Sequence, residues 1–297
     1  MTSPARKSSR CFSFSWIPLL LLGLSALTTL HSAPFPPGTK AINLVTDLGA
    51  VGDGQTDNTE VFRKMVEMEG YSFYLPDGVY LISDTISYGQ RIFKILEGQS
   101  RDGTIIRLKD KSPGYDNPQK QKAMFVTGQP PAIRFRTSMR SLTFDTGKDN
   151  PGAVGLNFYV NNQGAVRNVR IRSGEGGQQP GRVGLALTLD MVGPLLVRDL
   201  LVEGFDIGID IKMAVNSVTL EDITLRGQRE VGLQNWQNLV FVRKLRSENS
   251  VVAVRNGGNA GVLMLADSTL TGLGAASEKL RLKSPRLAPA VLCCGPR

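Results

Sequence analysis

The sequence predicts an all-β fold in which parallel strands wind into a coil, the architecture called a β-helix. Three observations support this prediction. Short segments with alternating apolar and polar residues recur along the chain, no useful helical periodicity lies between them, and turn residues follow most of them. A chain of 297 residues with 41% hydrophobic and 21% charged residues is also typical of a folded domain.

The repeat begins near residue 139 and continues to about residue 272. Successive repeats start 27, 31, 23, 22 and 23 residues apart, in the order 139–146, 166–173, 197–204, 220–227, 242–249 and 265–272. A second strand-like segment follows most of them, at 154–160, 183–189, 207–213, 231–237 and 251–257. Period-two alternation predicts that Val154, Leu156, Phe158, Ile207, Ile209 and Ile211 point inward. A propeller needs longer repeats, and an immunoglobulin-like sandwich does not explain the repeat.

Residues 1–33 are predicted to be a secretory signal peptide. A positive segment with Arg6, Lys7 and Arg10 precedes the apolar stretch Trp16–Leu30, and small residues follow it. An uncleaved membrane anchor is the alternative. Cleavage would remove Cys11 and His31, the only histidine, so the body at 34–276 has neither Cys nor His. Catalysis by Ser–His or Cys–His pairs, His-ligated zinc and disulfides are therefore excluded there.

The net charge of +9 comes mostly from the two ends of the chain. Residues 1–33 carry +3 and residues 277–297 carry +4, which leaves 27 basic and 25 acidic residues in the body. A nearly neutral body gives no electrostatic reason to expect nucleic acid as a partner.

Residues 47–59, DLGAVGDGQTDNT, are followed by the short amphipathic segment 58–68 and by SFYLPDGVYLIS at 72–83. Asp57 and Glu60 have the spacing of a helix capping box, and the last segment predicts two strands around a Pro-Asp-Gly turn. Asp47, Asp53 and Asp57 are best explained as residues that fix turns and cap this helix, rather than as catalytic or calcium-binding groups.

These segments closely resemble the start of the pectate-lyase-like family, which is related to glycoside hydrolase family 28 within the pectin lyase-like superfamily and includes tailspike-like proteins. The resemblance implies a right-handed parallel β-helix, a first coil capped by the short helix, and carbohydrate as the substrate class. The chain departs from polygalacturonase-type members, because it has no Asp-Asp pair, no Gly-His-Gly and no matching Arg-x-Lys. The resemblance therefore transfers no catalytic residue.

The alignment of strands still predicts a site on one face. With Leu156, Leu185, Ile209 and Leu233 inward, the next positions form an outward row of Asn157, Ala186, Asp210, Gln234 and Arg255. Two residues further lie Tyr159, Thr188, Lys212 and Trp236, and the rings of Tyr159 and Trp236 are predicted to stack on sugars. The loops 145–153 and 172–182 precede strands of this face and are expected to wall a groove.

Candidate catalytic residues are Asp210, Lys212 and Glu175; candidate substrate-binding residues are Asn157, Tyr159, Gln234, Trp236 and Arg255. No pair of carboxyl groups at glycosidase spacing emerges from the strands, since Asp206 and Asp210 are about 13 Å apart along one strand. Glu175 would have to swing in from its loop. A lyase would use a base such as Lys212 or Arg255, with calcium as a possible cofactor; no other cofactor or metal is predicted.

The predicted function is that of an exported or surface protein that acts on a polysaccharide as a glycoside hydrolase or a polysaccharide lyase. The alternative is a non-catalytic polysaccharide-binding or adhesin module, and the signal peptide argues against a tailspike-like virion protein. A polysaccharide is the expected partner, without nucleic acid or stable membrane insertion. Residues 277–297 have no repeat and are expected to be a disordered or aberrant tail of a truncated chain.

Overall fold

The computed structural model describes residues 41–70, 72–129, 135–212, 217–257 and 261–271 in full, and the backbone alone at 277–279 and 290–294. The predicted signal peptide at 1–33 lies outside the described residues. One helix and 22 strands occur in this part. They are β1 (Ile42–Asn43), β2 (Asp53–Asp57), α1 (Thr59–Glu67), β3 (Ser72–Leu75), β4 (Gly78–Ile82), β5 (Ile86–Ser87), β6 (Ile95–Gly98), β7 (Thr104–Leu108), β8 (Lys122–Val126), β9 (Ser138–Asp145), β10 (Ala153–Asn157), β11 (Gly164–Arg172), β12 (Val183–Leu187), β13 (Leu195–Glu203), β14 (Ile207–Ile211), β15 (Ser217–Arg226), β16 (Val231–Asn235), β17 (Leu239–Glu248), β18 (Val252–Asn256), β19 (Val262–Ala266), β20 (Thr269–Thr271), β21 (Ser277–Lys279) and β22 (Ala290–Cys294).

The strands form two parallel sheets, which confirms the predicted coil of parallel strands. Sheet A has 14 strands, with β6, β9, β11, β13, β15, β17 and β19 as consecutive neighbours, and sheet B has the eight strands β5, β8, β10, β12, β14, β16, β18 and β21 in spatial order. Strands alternate between the sheets along the repeat, so each coil contributes one strand to each sheet. This is the arrangement of a parallel β-helix.

Each long strand of sheet A bends at one residue in the left-handed conformation. This residue is Ser141, Asn168, Asp199, Asp222 or Lys244, with φ between 51° and 55°. This residue has no partner in the pairing of neighbouring strands. Between β11 and β13, for example, Arg167 pairs with Arg198 and Val169 with Leu200. The bend divides each long strand into two halves, so a coil has three straight segments.

The main core lies between the sheets and contains Leu156, Leu185, Ile209 and Leu233, all fully buried as predicted. Phe158 and Ile211 also belong to it. The prediction for Val154 and Ile207 was wrong, because these residues lie in a second cluster with Val183, Ala186 and Val231.

Glycines explain this difference. A Cβ atom at Gly155 would lie 2.4 Å from the Ile171 side chain, and one at Gly184 would lie 2.4 Å from Val202, and both neighbours are in the main core. Gly155 therefore faces the core directly before Leu156. Two consecutive inward positions interrupt the alternation and place Val154 on the other face.

Helix α1 begins at Thr59, with Asn58 rather than Asp57 at the N-cap position. Asp57 Oδ1 instead accepts a hydrogen bond from the Thr59 N–H at 2.9 Å, and no side-chain bond caps the helix from Asn58. Phe62, Met65 and Val66 face the core. The amphipathic segment was therefore predicted correctly, but its first residue was not.

The acidic residues of the glycine-rich run fix turns, as predicted. Asp47 accepts from the Asn43 N–H at 2.8 Å, and Asp53 accepts from the N–H groups of Gln55 and Thr56, both at 2.8 Å. These backbone hydrogen bonds, led by that from Thr56, lower the pKa of Asp53.

At the C-terminal end, β21 pairs with β18 and β22 pairs with β19, both in parallel. Strand structure therefore continues at residues 277–279 and 290–294, where the sequence analysis expects none. The other residues of 277–297 lie outside the described part, and their disorder stays a prediction.

Candidate functional site

The predicted polar row is present and in register along sheet B. Asn157 pairs with Ala186, Ala186 with Asp210, Asp210 with Gln234, and Gln234 with Arg255. Ala186 belongs to the second cluster and not to the main core, so this row lies on the face of sheet B opposite Ile209. We call this side of the sheet the outer face.

Asp210 lies at the centre of the row, and it is buried rather than solvated. Its side chain is 3% exposed, Gln234 Nε2 donates to its Oδ1 at 2.8 Å, and Lys212 Nζ lies 3.2 Å from its Oδ2. Because adjacent coils are about 4.8 Å apart, each side chain is covered by its neighbours in the row. The row is outward as predicted, but Asp210 and Gln234 within it are both buried.

Lys212 is the solvent-facing member of this group, with 46% of its side chain exposed. It follows β14 directly, where its backbone N–H donates to the Leu187 carbonyl at 3.0 Å. Its ion pair with Asp210 would have to be broken before Lys212 could act as a base.

Trp236 lies one coil beyond Lys212, directly after β16. Its backbone N–H donates to the Ile211 carbonyl at 2.9 Å, and its side chain is half-buried. The indole Nε1 is buried and has no hydrogen-bond partner among the described residues. Asn157 Oδ1, at the other end of the polar row from Arg255, is also buried and has no hydrogen-bond partner among the described residues. A buried polar atom of this kind is typical of a place where water or a ligand supplies the partner.

Tyr159 does not belong to this face. Its ring is 1% exposed and packs in the main core, and the Tyr159 N–H donates to Thr127 Oγ1 at 2.7 Å. Strand β10 ends at Asn157, so the alternation that predicted an outward ring no longer applies at Tyr159. The prediction of a platform made by Tyr159 and Trp236 together was wrong, because the Tyr159 ring lies in the main core.

Residues of the two predicted loops line an open cavity, together with Lys111 and Asp116. It has a volume of about 390 Å³ and is lined by Lys111, Asp116, Asp149, Pro151, Gln178 and Gln179. Asp149 Oδ1 accepts from the backbone N–H groups of Gln178 at 2.8 Å and Gln179 at 3.2 Å, so the loop before β10 holds the loop before β12. The lining carries a cation, carboxylates and amides, which suits a polar ligand.

Glu175 lies on the second loop but is exposed and does not line this cavity. No hydrogen bond or ion pair in the described ranges joins it to Asp210 or Lys212. The structure thus brings Asp210, Lys212 and Gln234 into contact, places the Trp236 backbone beside that of Lys212, and leaves Glu175 and Tyr159 outside the group. Arg255 continues the row beside Gln234.

One acidic pair was missed by the sequence analysis. Arg182 Nη1 donates to Asp206 Oδ2 at 2.8 Å and also to Glu230, and Arg229 Nη2 lies 2.5 Å from Asp206 Oδ1. The bond to Glu230, reinforced by Asp206, raises the pKa of the Arg182 guanidinium. Arg182, Asp206 and Glu230 precede sheet B strands at intervals of 24 residues, and this spacing was the signal that could have revealed them.

The ranges that the structure describes contain no group of three His, Cys, Asp or Glu residues placed to hold a metal ion. Within the same ranges, no helix has the length and apolar character needed to cross a membrane.

The family model of rhamnogalacturonase A/epimerase, pectate lyase-like proteins matches residues 41–265, which is most of the chain. The chain belongs to this family. The resemblance carried by the glycine-rich run is thereby confirmed, and the match extends through the repeats to strand β19.

Individual relatives are more distant. A pre-neck appendage protein of Bacillus phage B103 is 33% identical over 73 residues, which is 25% of this chain and 8% of that protein. The pectin methylesterase of Aspergillus niger has a TM-score of 0.58 at 12% identity, over 89% of this chain and 88% of the esterase. Tailspike protein 2 of Escherichia coli O157:H7 bacteriophage CAB120 has a TM-score of 0.49 at 13% identity, over 78% of this chain and 34% of the tailspike. At 12% identity the esterase shows a shared fold alone.

Proposed function

We propose that this protein binds a polysaccharide along the outer face of sheet B. The observation that carries the proposal is Trp236, a half-buried indole whose Nε1 has no acceptor in the described ranges, one coil from the exposed Lys212 ammonium. The apolar face of a pyranose can cover the exposed part of an indole ring, and sugar hydroxyls accept from ammonium groups. Membership of a family named for rhamnogalacturonase and epimerase agrees with a carbohydrate ligand.

A second candidate function is catalysis on the same polymer, by hydrolysis or by elimination. The charged pair of Asp210 and Lys212 on the outer face favours it. Hydrolysis needs two available carboxyl groups roughly 5–9.5 Å apart. Asp206 and Glu230 share one arginine nitrogen, which brings their oxygens close together, but Arg182 and Arg229 occupy both groups. Binding is therefore the function that this geometry supports better.

Calcium would have a role only in an elimination reaction. The donor set does not favour it, since the described residues offer no group of three acidic ligands at one place. We assign no step to calcium.

A panel of neutral and acidic polysaccharides distinguishes these functions. Retention on an immobilised polymer without new products indicates binding; new reducing ends indicate hydrolysis; ultraviolet absorbance from an unsaturated product indicates elimination. The absence of both retention and products across the panel contradicts a carbohydrate function.

The binding face is tested by Trp236→Ala. We expect about tenfold weaker retention, since the loss of a central aromatic contact costs more than about 1 kcal/mol. Trp236→Phe should restore most of the affinity, because it keeps a ring without the N–H. Phe241→Ala is the matched control, since Phe241 is an exposed aromatic residue on sheet A. Retention that is unchanged in Trp236→Ala assigns this residue to packing.

We further propose that residues 1–33 direct export to the cell surface or medium, with a virion surface as the alternative suggested by the appendage relative. We also propose that the coils are right-handed and that α1 caps the first of them. Crossovers between parallel strands of one sheet are right-handed in nearly all proteins.

A further inference from the structure

The segment between β5 and β6 contains a buried cation. Lys94 is 3% exposed, and its Nζ donates to the carbonyl oxygens of Met68 and Gly70, the latter at 3.1 Å. The Phe73 ring lies 4.9 Å from the same nitrogen. No ion pair in the described part of the chain includes Lys94, and the negative charge of Glu67 acts on it only from beyond ion-pair distance.

Two neutral carbonyl groups do not neutralise an ammonium. A charge that leaves water without an opposite charge is unfavourable unless hydrogen bonds and a counterion compensate for the lost hydration. The carbonyls follow the C-terminal end of α1 and supply only the partial negative charge of a helix end. An ammonium has three N–H groups, and these two acceptors use two of them.

A cavity of about 440 Å³ is lined in part by Lys94. Its lining includes Lys94, Arg91, Gln90, Ile92 and Met68, and its volume is within the range of small-ligand sites. Arg91 is half-exposed and pairs with Glu67 through one nitrogen, so its other N–H groups remain available for a ligand. Glu69, which also lines the cavity, is exposed.

We propose that this cavity binds a small oxyanion, held between the Lys94 ammonium, the Arg91 guanidinium and the Gln90 amide. The anionic group belongs either to a free ion such as phosphate or to an acidic sugar that carries a carboxylate. Burial lowers the pKa of Lys94, the positive charge of Arg91 lowers it further, and the negative charge of Glu67 raises it in part. A bound anion would act in the same direction as Glu67. The site lies between α1 and β6, so it does not depend on the binding face proposed on sheet B.

Titration calorimetry on the purified full chain tests the proposal, with sodium phosphate and sodium glucuronate as probes in a chloride buffer of matched ionic strength. We expect saturable binding of at least one probe. Lys94→Met should weaken that binding at least tenfold and Arg91→Gln about fivefold. Lys64→Met, which removes an exposed lysine on α1, should leave it unchanged.

Binding of phosphate alone identifies a free ion as the ligand, and preferential binding of glucuronate identifies a sugar carboxylate. If Lys94→Met does not fold, Arg91→Gln decides the outcome alone. The Arg91 side chain is half-exposed, so its replacement leaves the fold intact. The absence of saturable binding for both probes overturns the proposal. Equal affinity in the wild-type chain and in the variants that fold also overturns it.

Discussion

Replacing Lys212 by methionine tests how far the buried carboxylate of Asp210 depends on its cation. Methionine keeps most of the aliphatic length of lysine and removes the ammonium. Asp210 would then keep the hydrogen bond from Gln234 and lose the ion pair to Lys212. We compare this change with Asp210→Asn, which removes the negative charge but retains an oxygen that can accept from Gln234.

The structure predicts an asymmetry between the two variants. Removal of one partner from a buried ion pair costs about 3–5 kcal/mol, because a charge is left without compensation. Here the cost is smaller, since Lys212 is 46% exposed and water can replace it at Oδ2. We expect Lys212→Met to lower the free energy of unfolding by about 2 kcal/mol. Asp210→Asn keeps the hydrogen bond from Gln234 and loses only the attraction to the exposed Lys212, so it should cost about 1 kcal/mol, comparable to the net contribution of one hydrogen bond.

Lys244→Met is the matched control. Lys244 has a similar exposure of 53%, and it pairs at 3.4 Å with Asp222, whose side chain is 36% exposed. A surface pair of this kind contributes less than about 1 kcal/mol. Urea unfolding followed by tryptophan fluorescence and circular dichroism measures all three variants. A cost for Lys212→Met no larger than that of Lys244→Met would refute the argument, as would a larger cost for Asp210→Asn.

Two further predictions concern the fold. Gly155→Ala should lower the free energy of unfolding by about 2 kcal/mol, because the new methyl group would lie 2.4 Å from the Ile171 side chain. Gly49→Ala is the control, since a methyl group there meets no atom and adds only the backbone strain of a φ of 78°. Equal losses of stability in urea unfolding would contradict an inward Gly155. The hydrogen bond from Lys122 lowers the pKa of Asp84 below 3.8, so the stabilisation by this group is present above pH 3.8 and is lost as pH falls through its folded-state pKa. Asp84→Asn should therefore be less stable than the wild type at pH 7 and approach it in acid, and a constant difference across a pH series of thermal melts would disprove this linkage.

The repeat in the sequence was sufficient to predict the strands and their register. The row from Asn157 to Arg255 was predicted residue by residue, since each coil of a parallel β-helix places equivalent positions beside one another. The turn-forming role of Asp53 could also be predicted, because its hydrogen bonds are made to residues two and three positions away.

Side-chain environments were predicted less well, because they depend on contacts across the coil. Period-two alternation assigned Val154 to the core, but the inward Gly155 breaks that alternation. The same rule assigned Tyr159 to solvent, although the strand ends two residues earlier. The burial of Asp210 follows from Gln234 and Lys212, and the first of these belongs to another coil.

The sequence alone therefore determined the parallel coil, its family and the line of residues on the outer face of sheet B. These properties are encoded by local periodicity and by short motifs, and neither requires knowledge of long-range contacts. Only the tertiary structure decided which members of that line are accessible, that Asp206 and Glu230 share Arg182, and that Lys94 is buried beside a cavity. Each of these facts depends on packing between segments that are distant in sequence. Such packing determines which groups are buried, and burial controls the cost of an uncompensated charge.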